Sequence, residues 1–325
     1  MGRVVLSAVS RIAAVTVAAV VLSFTLVLFA PGEALSVAAE GRSVSAGVRD
    51  TLRARAGLDR SAMDRVRAHM GQLAHGDLGV STVDARPVRD ILRESAPRTA
   101  LLTGSALVLA ILLGVTVGTA RAWRPNSQLW HVANGALTAL YALPELVLGV
   151  ALLALFSRAL GWLPPGGMTD PLIELTGGRW ARLLDLARHL ALPAMTLALA
   201  WCAAIVRQQR EATREATRSA HVRTARAKGM TESHVLRHDV LRLTAPALWI
   251  VVGGMLPVLM AGAVLVETLY GWPGLGQIMV QAVTARDAPV VAGATLLVSF
   301  ATVTASVLVE TAVRLTDPRV GAGHA

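Results

Sequence analysis

Lys228 is the only lysine among 325 residues, and Gly229 follows it. A phosphate-cradling G-x-x-x-x-G-K-[ST] loop therefore has no place in this chain. No H-E-x-x-H or G-x-S-x-G run occurs either, so the usual metallohydrolase and serine-hydrolase constellations are absent. His221, His234 and His238 share one arginine-rich segment, where interface or capping roles fit better than metal ligation. Cys202 is the single cysteine and lies in an apolar run, where it reads as a small hydrophobic residue. Glu145 is different: it is an acid well inside an apolar run, beside Pro144. A carboxylate facing lipid is costly, so Glu145 must line a pathway, meet a polar partner or helix interface, or hold a proton. Catalytic residues, cofactors and metal sites are not expected.

The elements that position these residues are membrane helices. Composition is 54% hydrophobic and only 16% charged, against about 25% charged in soluble domains. About 20 apolar residues cross a bilayer as a helix. Six runs qualify, at 9–30, 100–120, 134–157, 190–206, 246–267 and 291–313. The first is longer than a signal-peptide core and ends in Pro31-Gly32-Glu33, a poor cleavage site, so it reads as a retained helix. Pro144 and Pro257 are expected to weaken or kink the third and fifth spans. Gly114 and Gly118 form a GxxxG pair in the second, where small residues allow close helix approach.

The net charge of +10 is not a nucleic-acid footprint, because its excess is localised. Arg3 and Arg11 precede the first span, Arg121 and Arg124 follow the second, and Arg207–Arg242 holds nine basic residues against four acids. This bias orients both termini and that segment toward the cytoplasm, near anionic lipid. Pro31–Arg98 is then external; its 11 basic and nine acidic residues weigh little in so long a loop.

Within the basic segment, Arg207, Arg210, Arg214 and Arg218 form one helical stripe, supported by Glu211 and Glu215 three residues before Arg214 and Arg218. Ala212, Ala216 and Ala220 mark a small face suited to packing. The helix is expected to stop near Gly229, and Thr231 to cap the next one, giving a helix–turn–helix beneath the membrane.

The run His221-Val222-Arg223-Thr224-Ala225-Arg226-Ala227-Lys228-Gly229, with Arg237-His238 and Pro246, resembles the EAA loop of binding-protein-dependent ABC permeases. It is most similar to the dipeptide/oligopeptide/nickel permease branch. Arg223, Thr224 and Ala225 stand at the E-A-A positions. The usual tyrosine is replaced by His221, and the usual alanine and asparagine by Asp239 and Arg242. The likeness continues through Gly76–Gly79 with Ser81, Pro87-Val88, Pro97 with Thr99, Leu163-Pro164, Gly166-Gly167, Glu267 with Tyr270–Gly276, and Asp317–Arg319.

The resemblance implies an all-α fold: a six-span, type I ABC-importer permease. It implies residues 1–30 as a first helix, 31–99 as an external region, and 100–320 as a permease core carrying a coupling loop at 207–245. The implied partners are a homologous second permease, two cytoplasmic ATPase subunits and an external substrate-binding protein. His221, Arg223, Thr224, Ala225, Arg226, Lys228 and Gly229 would couple to the ATPase. Glu267, Trp272, Pro273, Gly274 and Gly276 would form an external gate or docking turn, and Pro144 and Glu145 are pathway candidates. Peptide is the expected cargo; nickel or a metal chelate is the alternative, and a stand-alone secondary transporter a more distant one.

Overall fold

The computed structural model describes residues 75–316, together with helical positions at 17–19, 21, 22, 25, 64, 67 and 71–73. Most of the expected first span at 9–30, most of the 31–99 region and the Asp317–Arg319 motif lie outside the described residues.

Among the described residues the chain is helical. In order come α1 (Val88–Trp123), α2 (Gln128–Tyr141), α3 (Glu145–Leu152, continued by a π-helical turn, Leu153–Ala159), α4 (Pro171–Thr176), α5 (Arg179–Arg218), α6 (Ala220–Ala227), α7 (Glu232–His234, continued by π-helical Val235–Val240), α8 (Leu241–Tyr270), α9 (Leu275–Thr284) and α10 (Ala288–Thr316). Among the described residues, four continuous stretches are long and apolar enough to cross a membrane: α1, α5, Glu232–Tyr270 and α10. The pair α2 with α3 and its π turn makes up to five.

This corrects the third expected span, which is broken rather than merely kinked: the two halves differ in direction by 115°. Proline has no N–H to donate and pushes the preceding residue out of helical geometry. Pro144 is extended at ψ 138°, while the N–H groups of Ala142 and Leu143 close α2 on Ala139 and Leu140. Pro257 behaves otherwise, because α8 runs continuously through it and through Pro246. The second span is also longer than expected: Pro97 and Thr99 are inside α1, not in an approach to it. The fourth becomes a 40-residue helix, about 60 Å long. That is twice a bilayer core, so α5 extends beyond the apolar slab.

The described residues form two compact units. One holds those up to Ala100 together with Pro273–Val303; the other holds Leu101–Trp272 and those from Thr304. In the smaller unit, Val88, Ile91, Leu92, Leu275, Val290 and Ala294 form the core. A turn bridged between Val80 and Pro87 is clipped down by buried Asp287, which accepts from the Ser81 hydroxyl and, at 3.1 Å, from the Thr82 N–H.

The larger unit is built around α5. Two-thirds of its apolar window is buried, against about one-third in the other spans. The GxxxG face of α1 packs on it as expected: a methyl on Gly118 would lie 2.7 Å from the Val206 carbonyl oxygen. One turn further, the buried Gln209 amide donates to Thr119 of α1 and Thr244 of α8, each at 3.0 Å. A satisfied buried amide of this kind fixes helix register as well as contact.

Candidate functional site

The basic segment does not form one helix up to Gly229. It breaks at Ser219, whose extended backbone (ψ 151°) ends α5 and whose hydroxyl accepts the Val222 N–H at 3.3 Å, capping α6. Ser219 is a good N-cap residue by type, but an unbroken helical pattern in the sequence hides it. α6 ends as expected. Gly229 adopts φ +75°, its N–H reaches the Arg226 carbonyl, and the Met230 N–H reaches that of Ala225 at 3.3 Å. These are the paired closing bonds of a left-handed C-terminal glycine. Thr231 occupies the following cap position, but its hydroxyl makes no capping bond.

Val222 and Ala225 turn inward onto Ala216, Val235 and Val240, with Trp123 and Leu236 packed against them. Ala216 therefore belongs to a packing face as expected, whereas Ala220 is exposed. Two polar contacts flank this small core. His221 Nε2 lies 2.8 Å from Asp239 Oδ1. Arg226 donates twice to Glu232, at 2.9 and 3.1 Å, and its guanidinium sits 5.3 Å from the centre of the Trp123 ring. Arg223, Thr224, Lys228 and Gly229 are exposed. The expected coupling residues thus divide: Ala225 is buried, His221 and Arg226 brace the helix to its own chain, and the rest face outward. On α5, Arg214 meets Glu211 at 3.3 Å, as the spacing predicts. His234 and His238 stack face to face, 4.2 Å between ring centres.

At the break after α2, Pro144 is exposed and Glu145 opens α3. Glu145 Oε1 is buried with no hydrogen-bond partner among the described residues. Its carboxylate rests against Gly262 of α8, where a methyl would come within 2.6 and 2.7 Å of the two oxygens. Gly262 carries no signal in the sequence, since a helical glycine within an apolar run has no label of its own. Tyr270, also missed as an anchor, donates to the Gly149 carbonyl at 2.9 Å and lies 2.9 Å from the Thr196 hydroxyl, joining α3, α5 and α8.

The turn after α8 is mostly buried. Gly271 ends the helix at φ +63°, and the Trp272 N–H returns to the Glu267 carbonyl at 2.9 Å. Glu267 and Trp272 have no exposed surface. The Tyr270 carbonyl accepts the Gly167 N–H at 2.8 Å, so the Gly166-Gly167 motif packs on this turn. In the smaller unit, Arg98 donates to the Pro273 carbonyl at 3.3 Å, and Thr99 Oγ1 accepts the Leu275 N–H at 2.7 Å. Gly274 caps α9, and both it and Gly276 are buried. Among the described residues no group of three His, Cys, Asp or Glu side chains is placed to hold a metal ion.

α6 is thus a short capped helix lying in the chain between two long apolar helices, α5 and α8. Residues 101–322 match the family described as binding-protein-dependent transport system inner membrane component. The chain belongs to that family. It is 32% identical over 311 residues to the di/tripeptide transport system permease protein DppB of Pseudomonas aeruginosa, covering 92% of this chain and 93% of that one. It is 31% identical over 314 residues to the dipeptide permease DppB of Escherichia coli K12, with the same coverage. Against the oligopeptide permease AppB of Bacillus subtilis the figure is 29% over 302 residues, again covering 92% and 93%. Among solved structures, a chain of the inward-facing MetNI methionine ABC transporter superposes with a TM-score of 0.53 at 17% identity, over 70% of this chain and 97% of that one. That likeness concerns the fold. This chain is thus a multi-pass inner-membrane subunit of an ABC importer, a class that works with ATPase and substrate-binding subunits.

Proposed function

We propose that this permease forms half of the translocation path of a peptide importer. Its partners in this reading are a homologous second permease, two ATPase subunits on the cytoplasmic side and an external binding protein. Both termini and the Ser219–Val240 segment face the cytoplasm, and residues 100–320 act as the permease core. The observation that carries the reading is α6: a separately capped helix, braced at both sides, held between the arginine-rich end of α5 and the start of α8. Such a helix moves as a body when a partner moves it, and the Gln209 amide ties α5 to α1 and α8 at the same end.

The break at Pro144 and the Glu145–Gly262 contact belong to the path in this reading, since irregular backbone at membrane depth is tolerated where it meets protein or water. Glu267, Trp272, Pro273, Gly274 and Gly276 belong to the outer gate in this reading. The burial of Glu267, Trp272, Gly274 and Gly276 fits a gate better than a docking surface. Peptide cargo is supported by the names of the relatives.

The test is reconstitution of the whole importer in vesicles with its binding protein outside. ATP-dependent accumulation of a labelled dipeptide is the expected result. Accumulation of nickel or a metal chelate instead would replace the cargo, and transport by this chain without ATPase subunits would overturn the reading.

A further inference from the structure

α6 sorts its cations by direction. Val222 and Ala225 define the buried face. His221 and Arg226 flank it on either side at helical spacing, and both are engaged with the chain's own carboxylates, Asp239 and Glu232. The opposite face carries Ala220, Arg223, Thr224 and Ala227, with Lys228 at its end, and all are exposed. Neither Arg223 nor Lys228 makes an ion pair among the described residues. The Thr224 hydroxyl is already turned back onto the Ala220 carbonyl at 3.0 Å, so it offers little to a partner. No Asp or Glu occurs between Ala216 and Thr231.

We infer that this outward face seats in an acidic groove of the ATPase subunit, with Arg223 and Lys228 meeting carboxylates there. The inference rests on the coupling reading above and adds the sign of the contact. It follows from charge balance: an exposed cationic face without internal acids needs anions from its partner, and complementary charge sets both specificity and encounter rate. A protein groove is favoured over lipid headgroups because the small side chains of Ala220 and Ala227 leave room for close approach beside Arg223. Headgroup attraction needs charge alone.

The experiment uses the permease pair in nanodiscs, with ATPase binding measured as salt rises from about 0.1 M to about 1 M, a change that shortens electrostatic screening from about 10 Å to about 3 Å. Wild-type affinity is expected to fall with salt. Arg223→Glu with Lys228→Glu is expected to weaken binding at least tenfold at low salt, leaving the thermal stability of the permease pair unchanged. Arg223→Gln with Lys228→Gln should flatten the salt dependence. Lysine substitutions of groove carboxylates on the ATPase should restore binding to the Glu variant. Unchanged affinity and salt slope in both variants would overturn the inference. So would a loss that appears only in anionic nanodiscs and vanishes in zwitterionic ones, which would assign the face to lipid. Failure of the wild-type pair to bind ATPase at any salt would instead sink the coupling reading itself.

Discussion

The segment Ser219–Val240 and the stretch Glu267–Gly276 end a helix by similar local means and differ in what surrounds them. Each turns on a glycine in the left-handed region, Gly229 at φ +75° and Gly271 at φ +63°. Around Gly229 the side chains are charged and exposed over a core of small residues. Around Gly271 they are buried, with Trp272 fully enclosed. The first leaves its outer face exposed. In the second, Trp272 shares a buried core with Leu102, Ala106 and Leu192. Mutations around Gly271 should cost stability before function, and mutations around Gly229 should do the reverse.

The largest effect should come from Trp272→Ala. Truncating a fully buried aromatic costs about 3–5 kcal/mol, so the permease pair should unfold at markedly lower temperature and lose uptake with it. If melting were unchanged while uptake vanished, Trp272 would be a working surface and not a core residue. Next is Gly262→Leu, which drives a side chain into the Glu145 carboxylate. Overpacking of this kind costs about 1–3 kcal/mol. Combining it with Glu145→Ala should recover much of the lost thermal stability, and no recovery would separate the two residues.

Gly229→Val comes third. A β-branched residue at positive φ costs about 1–2 kcal/mol, enough to disturb the end of α6 but not the membrane core. Substrate-stimulated ATP hydrolysis in the assembled importer should drop while the melting temperature of the permease pair moves little. Intact stimulation would show that the turn does not present the helix. The smallest effect belongs to His221→Ala. Its pair with Asp239 is largely solvent-exposed on the histidine side, and exposed pairs contribute about 0.2–1 kcal/mol. Uptake per ATP hydrolysed should decline slightly, and Asp239→Ala should add nothing further if the two act as one contact.

The His221–Asp239 pair also shows where sequence reading stopped. Both residues appear as separate departures from the related loop, 18 positions apart, and only the fold reveals that they meet. Ser219 is a comparable case: a cap residue hidden in an arginine-alanine pattern whose helical period carries straight through it. Pro144 and Pro257 make the point from the other side. Equal residues in equally apolar runs give a 115° break in one place and a continuous helix in the other. Proline removes the same hydrogen bond in both, so its neighbours decide whether the helix survives.

What the sequence determined by itself was the material of the chain: apolar runs of bilayer length, arginines gathered in one long segment, a glycine that must turn and no G-x-x-x-x-G-K-[ST] run. These are local properties, set by side-chain chemistry and spacing along the backbone. Tertiary structure alone decided which cations on α6 are held inward and which are left facing out. That choice depends on Glu232, Asp239 and Trp123, which no helical period connects to α6, and on a packed core only a folded chain can place beneath it.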